Sequence, residues 1–395
     1  MPLGIYISVP FCRTKCSYCN FASDVFSRAV FERYVDRVCA DVSNAPRVAA
    51  EMGGQTERAV DSIYLGGGSP TVLETAQLER IFLAVRRQFD VDPAAEVTVE
   101  CAPGTLTPAM IESLLRCGVN RVSLGVQSFV DHEAAAVGRL HKRTTVQGDI
   151  ARFRAAGITN INIDLIAGLP HQTAESWEFS LAETIATGVP HVSVYMLEVD
   201  DDSRLGRELL AGGTRYHAQF VPDEEAVADY YLAACDRLQS VGIAQYEISN
   251  FARAGFESLH NLKYWTRQPY FGFGVDAHSM LRSAPPGIDA VRFAPPDSLE
   301  HYMSGIGLQR TTVSQRAALE ENFFLGLRLT RGVSLRDLAA KFGEEPVEIT
   351  HDAIAEFVEG GLMEQRGDFV CLTARGRLLS NVVFERFVLV DEIAR

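Results

Sequence analysis

The sequence predicts an α/β fold: an open (β/α)6 partial barrel, followed by a smaller, winged-helix-like C-terminal domain. Three observations predict it. Strand-like segments alternate with helix-period segments from the N-terminus to about residue 245. The strand segments read as mostly continuous apolar runs, as expected when helices cover a parallel sheet. From about Arg316 the chain changes to helical patterns that end in a short hairpin-like run.

The expected strands are Leu3–Val9, Asp61–Leu65, Glu96–Glu100, Arg121–Val126, Asn160–Ile166 and His191–Glu198. Helical spacing places Val30, Phe31, Tyr34, Val35, Val38 and Val42 on one face, and Leu78, Ile81, Phe82, Val85 and Phe89 on another. Six such units make a truncated relative of the eight-fold barrel. Residues 283–297, SAPPGIDAVRFAPPD, read as a loop or linker because proline and small residues dominate. Helical patterns follow over Leu319–Leu329, Ser334–Phe342 and Ile349–Gly360, and GLMEQRGDFVCLT then resembles a hairpin. Three regions result: a barrel at 1–245, a connecting segment at 246–300 and an accessory domain at 301–395.

Composition excludes several classes. With 47% hydrophobic and 22% charged residues the chain has a globular balance. Its formal net charge of −14 argues against general binding to nucleic acid or anionic lipid. The winged-helix order invites a DNA-binding reading, but residues 316–395 hold 10 Lys/Arg against 14 Asp/Glu, a net −4. No run reaches the roughly 18 apolar residues that span a bilayer. The start, MPLGIYISVPFC, has no positive segment of a secretory signal. Five cysteines (Cys39, Cys101, Cys117, Cys235 and Cys371) are scattered and do not form a disulfide scaffold, so a reducing cytoplasm is expected.

The other three stand together. Cys12-x3-Cys16-x2-Cys19 follows the first strand, putting three thiols on one loop at its C-terminal end. Soft thiolates select iron–sulfur clusters or zinc. Zinc requires a fourth ligand, whereas a [4Fe–4S] cubane tolerates one iron without a cysteine and can offer it to a chelating ligand such as S-adenosylmethionine. Zinc and three unliganded thiols are the other readings. Gly66-Gly67-Gly68-Ser69-Pro70-Thr71 follows the second strand, where glycine lets a ligand approach the backbone and exposed carbonyls suit an ammonium group. Glu100 ends the third strand, Gln127 follows the fourth and Asp164 lies in the fifth. Polar residues at strand C-termini point into the mouth of such barrels.

Together CRTKCSYCNF, YLGGGSPT, VTVECAPG, RVSLGVQSF, GRLHKR, DLIAGLPHQT and VYMLEVDD resemble the oxygen-independent coproporphyrinogen oxidase family of radical SAM proteins, and within it the HemW haem-chaperone branch. The resemblance runs from Ile5 to about Phe387. It implies a radical-SAM TIM-like partial barrel with Cys12, Cys16 and Cys19 as cluster ligands. It further implies Tyr6, Gly67, Glu100, Gln127, Arg139 and Asp164 as S-adenosylmethionine contacts. Tyr18, Gly68 and Ser69 match positions touching that cofactor, or a second copy of it, in the oxidase. Arg139 also suits a carboxylate by its own two-pronged chemistry.

Two departures favour the chaperone branch. The oxidase carries another cysteine where this chain has Phe21, and a longer extension before its cluster motif. His260-Asn261-Leu262-Lys263-Tyr264-Trp265 also resembles the HNxxYW motif of the chaperone group. A neutral imidazole can ligate haem iron and aromatic rings can pack on a porphyrin, so His260 is a candidate haem ligand; equally, a histidine among aromatics can be a hydrogen-bonded core residue. The resemblance implies haem as cargo and an apo-haemoprotein recipient such as a respiratory enzyme. It leaves room for weak association with a membrane protein and for a dimer. The rival reading is catalytic: coproporphyrinogen decarboxylation and dehydrogenation, or methyl transfer, through a 5′-deoxyadenosyl radical.

Overall fold

A computed structural model describes residues 1–388. Residues 389–395, the end of the expected accessory domain, lie outside the described residues. Six strands match the expected ones: β1 (Leu3–Val9), β2 (Ala59–Gly67), β3 (Asp90–Cys101), β4 (Arg121–Gln127), β5 (Asn160–Ala167) and β6 (His191–Met196). They pair in parallel in chain order, with helices between them. The last is shorter than expected: it ends at Met196, and the next residue, Leu197, still donates its N–H to Ala167 O at 2.8 Å.

The strands are not continuous apolar runs. They alternate. Ile5, Ile7 and Val9, or Val97 and Val99, pack outward with the helix faces of Phe31–Val42 and Leu78–Val85 in one core. The alternate positions carry polar side chains that bond one another across strands. Tyr64 Oη donates to Glu100, Ser123 Oγ to Asp164, and Asn162 Nδ2 to Ser193 Oγ. The barrel interior is therefore polar and the helix side apolar, which is the period-2 rule applied to a two-environment sheet.

The sheet also extends beyond six strands. β7 (Ala244–Glu247) and β8 (Asn250–Ala252) form a hairpin that adds antiparallel to β6. β9 (Tyr270–Phe273) adds parallel to β1, and β10 (Ser279–Arg282), β11 (Ile288–Ala294) and β12 (Gln309–Ser314) continue antiparallel. The result is one open twelve-stranded sheet with β12 and β7 at its ends. Segment 283–297, expected as a loop, thus contains β11. Its proline pairs, Pro285-Pro286 and Pro295-Pro296, flank the strand IDAVRFA and leave its backbone N–H groups intact.

Helix Leu259–Trp265 closes the N-terminal end of the barrel. The buried Glu96 carboxylate accepts from Leu259 N (3.0 Å) and His260 N (3.1 Å), a negative charge on the first turn of that helix. Arg121, 2% exposed, faces the same carboxylate at 3.9 Å. Lys263, also buried, bonds Asp61 at 2.7 Å and Pro2 O at 3.0 Å.

The C-terminal domain has the winged-helix order. Helix Gln315–Gly326, β13 (Val333–Ser334), helix Leu335–Phe342 and helix His351–Glu359 precede the β14 (Met363–Arg366)–β15 (Phe369–Leu372) hairpin. Its own core includes Phe323, Leu338, Ile354, Phe357 and Val370. It is tied to the barrel through Ile248 N–H to Arg328 O (3.1 Å), Thr330 N–H to Tyr246 O (3.0 Å) and Arg328 stacked over Trp265 at 4.4 Å.

The floor yields a stability prediction. Glu96→Ala leaves the Arg121 guanidinium buried without its counter-charge and removes the acceptor of the Leu259 and His260 N–H groups, although Ser258 still caps the helix. Breaking one partner of a buried pair costs about 3–5 kcal/mol, so chemical denaturation should show a loss of that order. An unchanged midpoint would refute the bracing role.

Candidate functional site

Loop Phe11–Asp24 carries the three cysteines and is held from three sides. Its ends join through Cys12 N–H to Asp24 O (2.9 Å) and Asp24 N–H to Pro10 O (3.0 Å). Thr14 Oγ1 donates to Gly138 O (2.9 Å) and Ser17 N–H to Val137 O (3.2 Å). Leu205 N–H donates to Ser17 O (2.8 Å) from the opposite side. Cys12, Cys16 and Cys19 are all partly exposed and unpaired. Burial raises the Cys12 thiol above its ordinary value; Ser23 lowers it in part, and the Cys19 and Cys16 charges raise it.

The glycine turn after β2 is shaped by these neighbours. A Cβ on Gly66 would lie 2.8 Å from Glu100 Oε1, and one on Gly68 would lie 2.6 Å from Phe11 O and 3.0 Å from Cys12 Sγ. Gly67 adopts φ +102°, open to glycine only, and its N–H donates to Glu100 Oε2 at 3.2 Å. Ser69 N–H donates to Phe11 O at 2.8 Å, so the turn and the cysteine loop are one unit.

Around it stand the charged residues. Glu100 receives Tyr64 Oη at 2.8 Å. Burial, then the Asp164 charge, pushes the Glu100 carboxyl up to about 7, against the pull of Tyr64, Gly67 and Arg139. Burial likewise raises Asp164, although Ser123 Oγ (3.0 Å) and Asn162 Nδ2 (2.8 Å) donate to it. Arg139 donates to Tyr18 Oη at 3.3 Å, while its Nε is buried with no partner. Gln127 has φ +69° at a register shift between β4 and β5, and its buried Oε1 is also unpartnered. Such strain at a strand end re-aims a side chain toward a site. Tyr6 lies deeper, its ring 6.1 Å from that of Tyr64.

The structure thus brings Tyr18, Gly67, Gly68, Ser69, Glu100, Gln127, Arg139 and Asp164 toward the cysteine-loop end of the barrel, with Tyr6 between that end and the floor, its ring 6.4 Å from that of His260. His260 lies elsewhere. It is 1% exposed on the floor, with Nδ1 at 3.0 Å from Ser62 Oγ and Nε2 at 2.9 Å from Tyr264 Oη. Both ring nitrogens are occupied, and burial, then Lys263 and Arg121, lowers its pKa to about 3. Two contributors were missed in the sequence. Tyr64 holds Glu100, and Gly125 makes room for Arg139, whose Nη2 would be 3.0 Å from a Cβ there. Both sit at inward positions of period-2 strands, a signal hidden while those strands read as uniformly apolar.

Residues 6–183 match the radical SAM superfamily, and residues 313–379 match the HemN C-terminal domain. A protein named heme chaperone HemW from Lactococcus lactis is 32% identical over 99% of this chain and 98% of its own length. Another so named, from Bacillus subtilis, is 34% identical over 97% of this chain and 98% of its own length. The chain belongs to the HemW family of radical SAM proteins. The HemW relative of Escherichia coli is 28% identical over 98% of each chain. Among solved structures, the radical SAM coproporphyrinogen III oxidase HemN of Escherichia coli shares the fold, with a TM-score of 0.82, 22% identity and coverage of 98% of this chain and 90% of that one. No helix among the described residues is long and apolar enough to cross a membrane.

Glu100 gives a pH prediction. Its folded pKa of about 7 exceeds its ordinary 4.5, so its stabilising contribution is full below about 4.5 and is lost as pH rises through about 7. Glu100→Gln should melt near wild type at pH 5 and above it at pH 8 in the metal-free protein. Parallel melting curves across that range would disprove the shift.

Proposed function

We propose that this chain is a haem chaperone of the radical SAM type, which carries a [4Fe–4S] cluster and S-adenosylmethionine and delivers haem to an apo-haemoprotein such as a respiratory enzyme. The observation that carries the reading is similarity over nearly the whole chain to proteins named heme chaperone HemW. Phe21, 66% exposed within the cysteine loop, supports it against the decarboxylase, whose family has a cysteine there. Free cysteines fit a reducing compartment such as the cytoplasm.

The cofactor site fits the cluster and its ligand. Among the described residues no three His, Cys, Asp or Glu side chains converge to hold a single ion, as zinc requires. A cubane spreads its irons over separate corners, so three partly exposed thiols on one loop suit it. Cys12, Cys16 and Cys19 would hold it. The unpartnered Arg139 Nε and Gln127 Oε1 are unsatisfied groups of the kind a polar ligand completes. Arg139 would take the carboxylate of S-adenosylmethionine, carbonyls of the glycine turn its ammonium, and Glu100 and Asp164 its remaining donors or positive charge. Held by Cys12, Cys16 and Cys19, such a cluster would be a source of one electron for the sulfonium. The chain's own residues orient that ligand and keep it beside the cysteine loop. The same site keeps catalysis on a porphyrinogen as a second reading.

Anaerobic reconstitution tests this. Wild type should carry about four irons per chain, and Cys16→Ala should lose most of them while Cys39→Ala does not. Glu100→Ala, Arg139→Ala and Asp164→Ala should keep their iron but weaken S-adenosylmethionine binding about ten- to a hundredfold. Haem binding without coproporphyrinogen turnover supports the chaperone. Turnover overthrows it.

A further inference from the structure

We propose that the paired imidazoles of His171 and His217 form the haem-binding point of this chain, with His217 Nε2 as the iron ligand and His171 holding it in place. The inference rests on the haem-chaperone reading and names the residues of its cargo site.

The two rings meet with His171 Nε2 and His217 Nδ1 3.1 Å apart and their planes at 65°. Each residue has a left-handed backbone, φ +68° and +63°, which a side-chain-bearing residue adopts only when its surroundings enforce it. The surroundings do so. His171 N–H donates to Phe220 O and Phe220 N–H to His217 O, both at 2.9 Å. Glu208 accepts from Tyr216 N (2.8 Å) and Ala218 N (3.2 Å), fixing the segment on both sides of His217.

The chemistry of the pair decides the roles. His217 Nδ1 is engaged by His171, so its remaining nitrogen is Nε2, the one farthest from its backbone. His171 is left with Nδ1, crowded by its own main chain. An imidazole whose inner N–H donates to a fixed acceptor is held in one tautomer and made a stronger ligand. His171 is that acceptor.

Haem suits the place better than a bare ion. No third ligand converges here among the described residues, whereas haem brings four nitrogens of its own and needs one imidazole. The surroundings are also apolar and open. Phe220 lies 4.2 Å from the His171 ring and is exposed, as are Leu209 and Leu210 on the adjoining helix Arg204–Ala211. A porphyrin would cover them. The place adjoins the cofactor site, since Leu169, just ahead of His171, packs with Tyr18 in one small cluster.

Haem titration of the full chain, followed by absorption and by resonance Raman of the ferrous form, tests the proposal. Asparagine tolerates the left-handed backbone, so His217→Asn should fold, which melting curves check; His217→Gly repeats the test free of backbone strain. Either should lose the Soret band of imidazole-ligated haem and weaken binding by about tenfold or more. His171→Asn, whose amide oxygen can still accept from His217, should keep ligation but shift the iron–histidine stretching band. His260→Ala should lose thermal stability and leave the Soret band unmoved. Unchanged haem spectra and affinity in His217→Asn would overturn the ligand assignment while leaving the chaperone reading intact. An unmoved stretching band in His171→Asn would overturn its positioning role. A wild-type protein that binds no haem would overturn the chaperone reading itself. Tight Zn2+ binding that His217→Asn abolishes, with haem binding unaffected, would reassign the pair to a bare metal ion.

Discussion

The buried Glu96 carboxylate on the barrel floor is the interaction on which the rest of the architecture depends. An open sheet with a polar inner face must either admit water at both ends or be sealed at one. Glu96 seals it by drawing the N–H groups of Leu259 and His260 onto the strand ends, with Arg121 as the balancing charge. A buried carboxylate without those donors and that cation would be prohibitively costly. With the floor covered by that helix, the cysteine loop stands at the opposite end of the polar inner face.

That closure separates two kinds of buried polar group. On the floor most partners are in place: both His260 nitrogens, the Lys263 ammonium and the Glu96 oxygens are bonded, while Arg121 Nε and Trp265 Nε1 lack a hydrogen-bond partner. At the mouth they are not. Glu100 and Asp164 repel each other, and Arg139 and Gln127 retain unsatisfied atoms. Fully bonded polar groups specify structure, whereas incompletely bonded ones beside the cysteine loop can take a polar ligand. His260 is saturated, whereas in the His171–His217 pair the outer nitrogen of His217, Nε2, is free of the contact between the two rings.

The C-terminal domain has a lesser electrostatic part than its winged-helix order implies. It meets the barrel through backbone bonds at Tyr246 and Ile248 and through Arg328 over Trp265. The HNLKYW helix therefore stands between the two regions as a shared wall. Its aromatic residues pack between the floor and the domain, with Tyr264 against Tyr270 at 4.6 Å.

Much was legible in the sequence, for local reasons. The six parallel strands showed as apolar segments between amphipathic helices, because each helix must bury one stripe against the sheet. The three cysteines and the glycine turn showed because short spacing fixes residues on one loop. β9 and β11 did not show: the first is a four-residue aromatic run, and the second hides between proline pairs, so only pairing with neighbours makes them strands. The roles of Tyr64 and Gly125 depended on which face of a strand the helices leave uncovered, which tertiary packing decides. The placement of His260 and the meeting of His171 with His217 were likewise tertiary, since contacts between residues 46 apart, or 198 in the case of Ser62 and His260, follow from chain packing and not from local spacing.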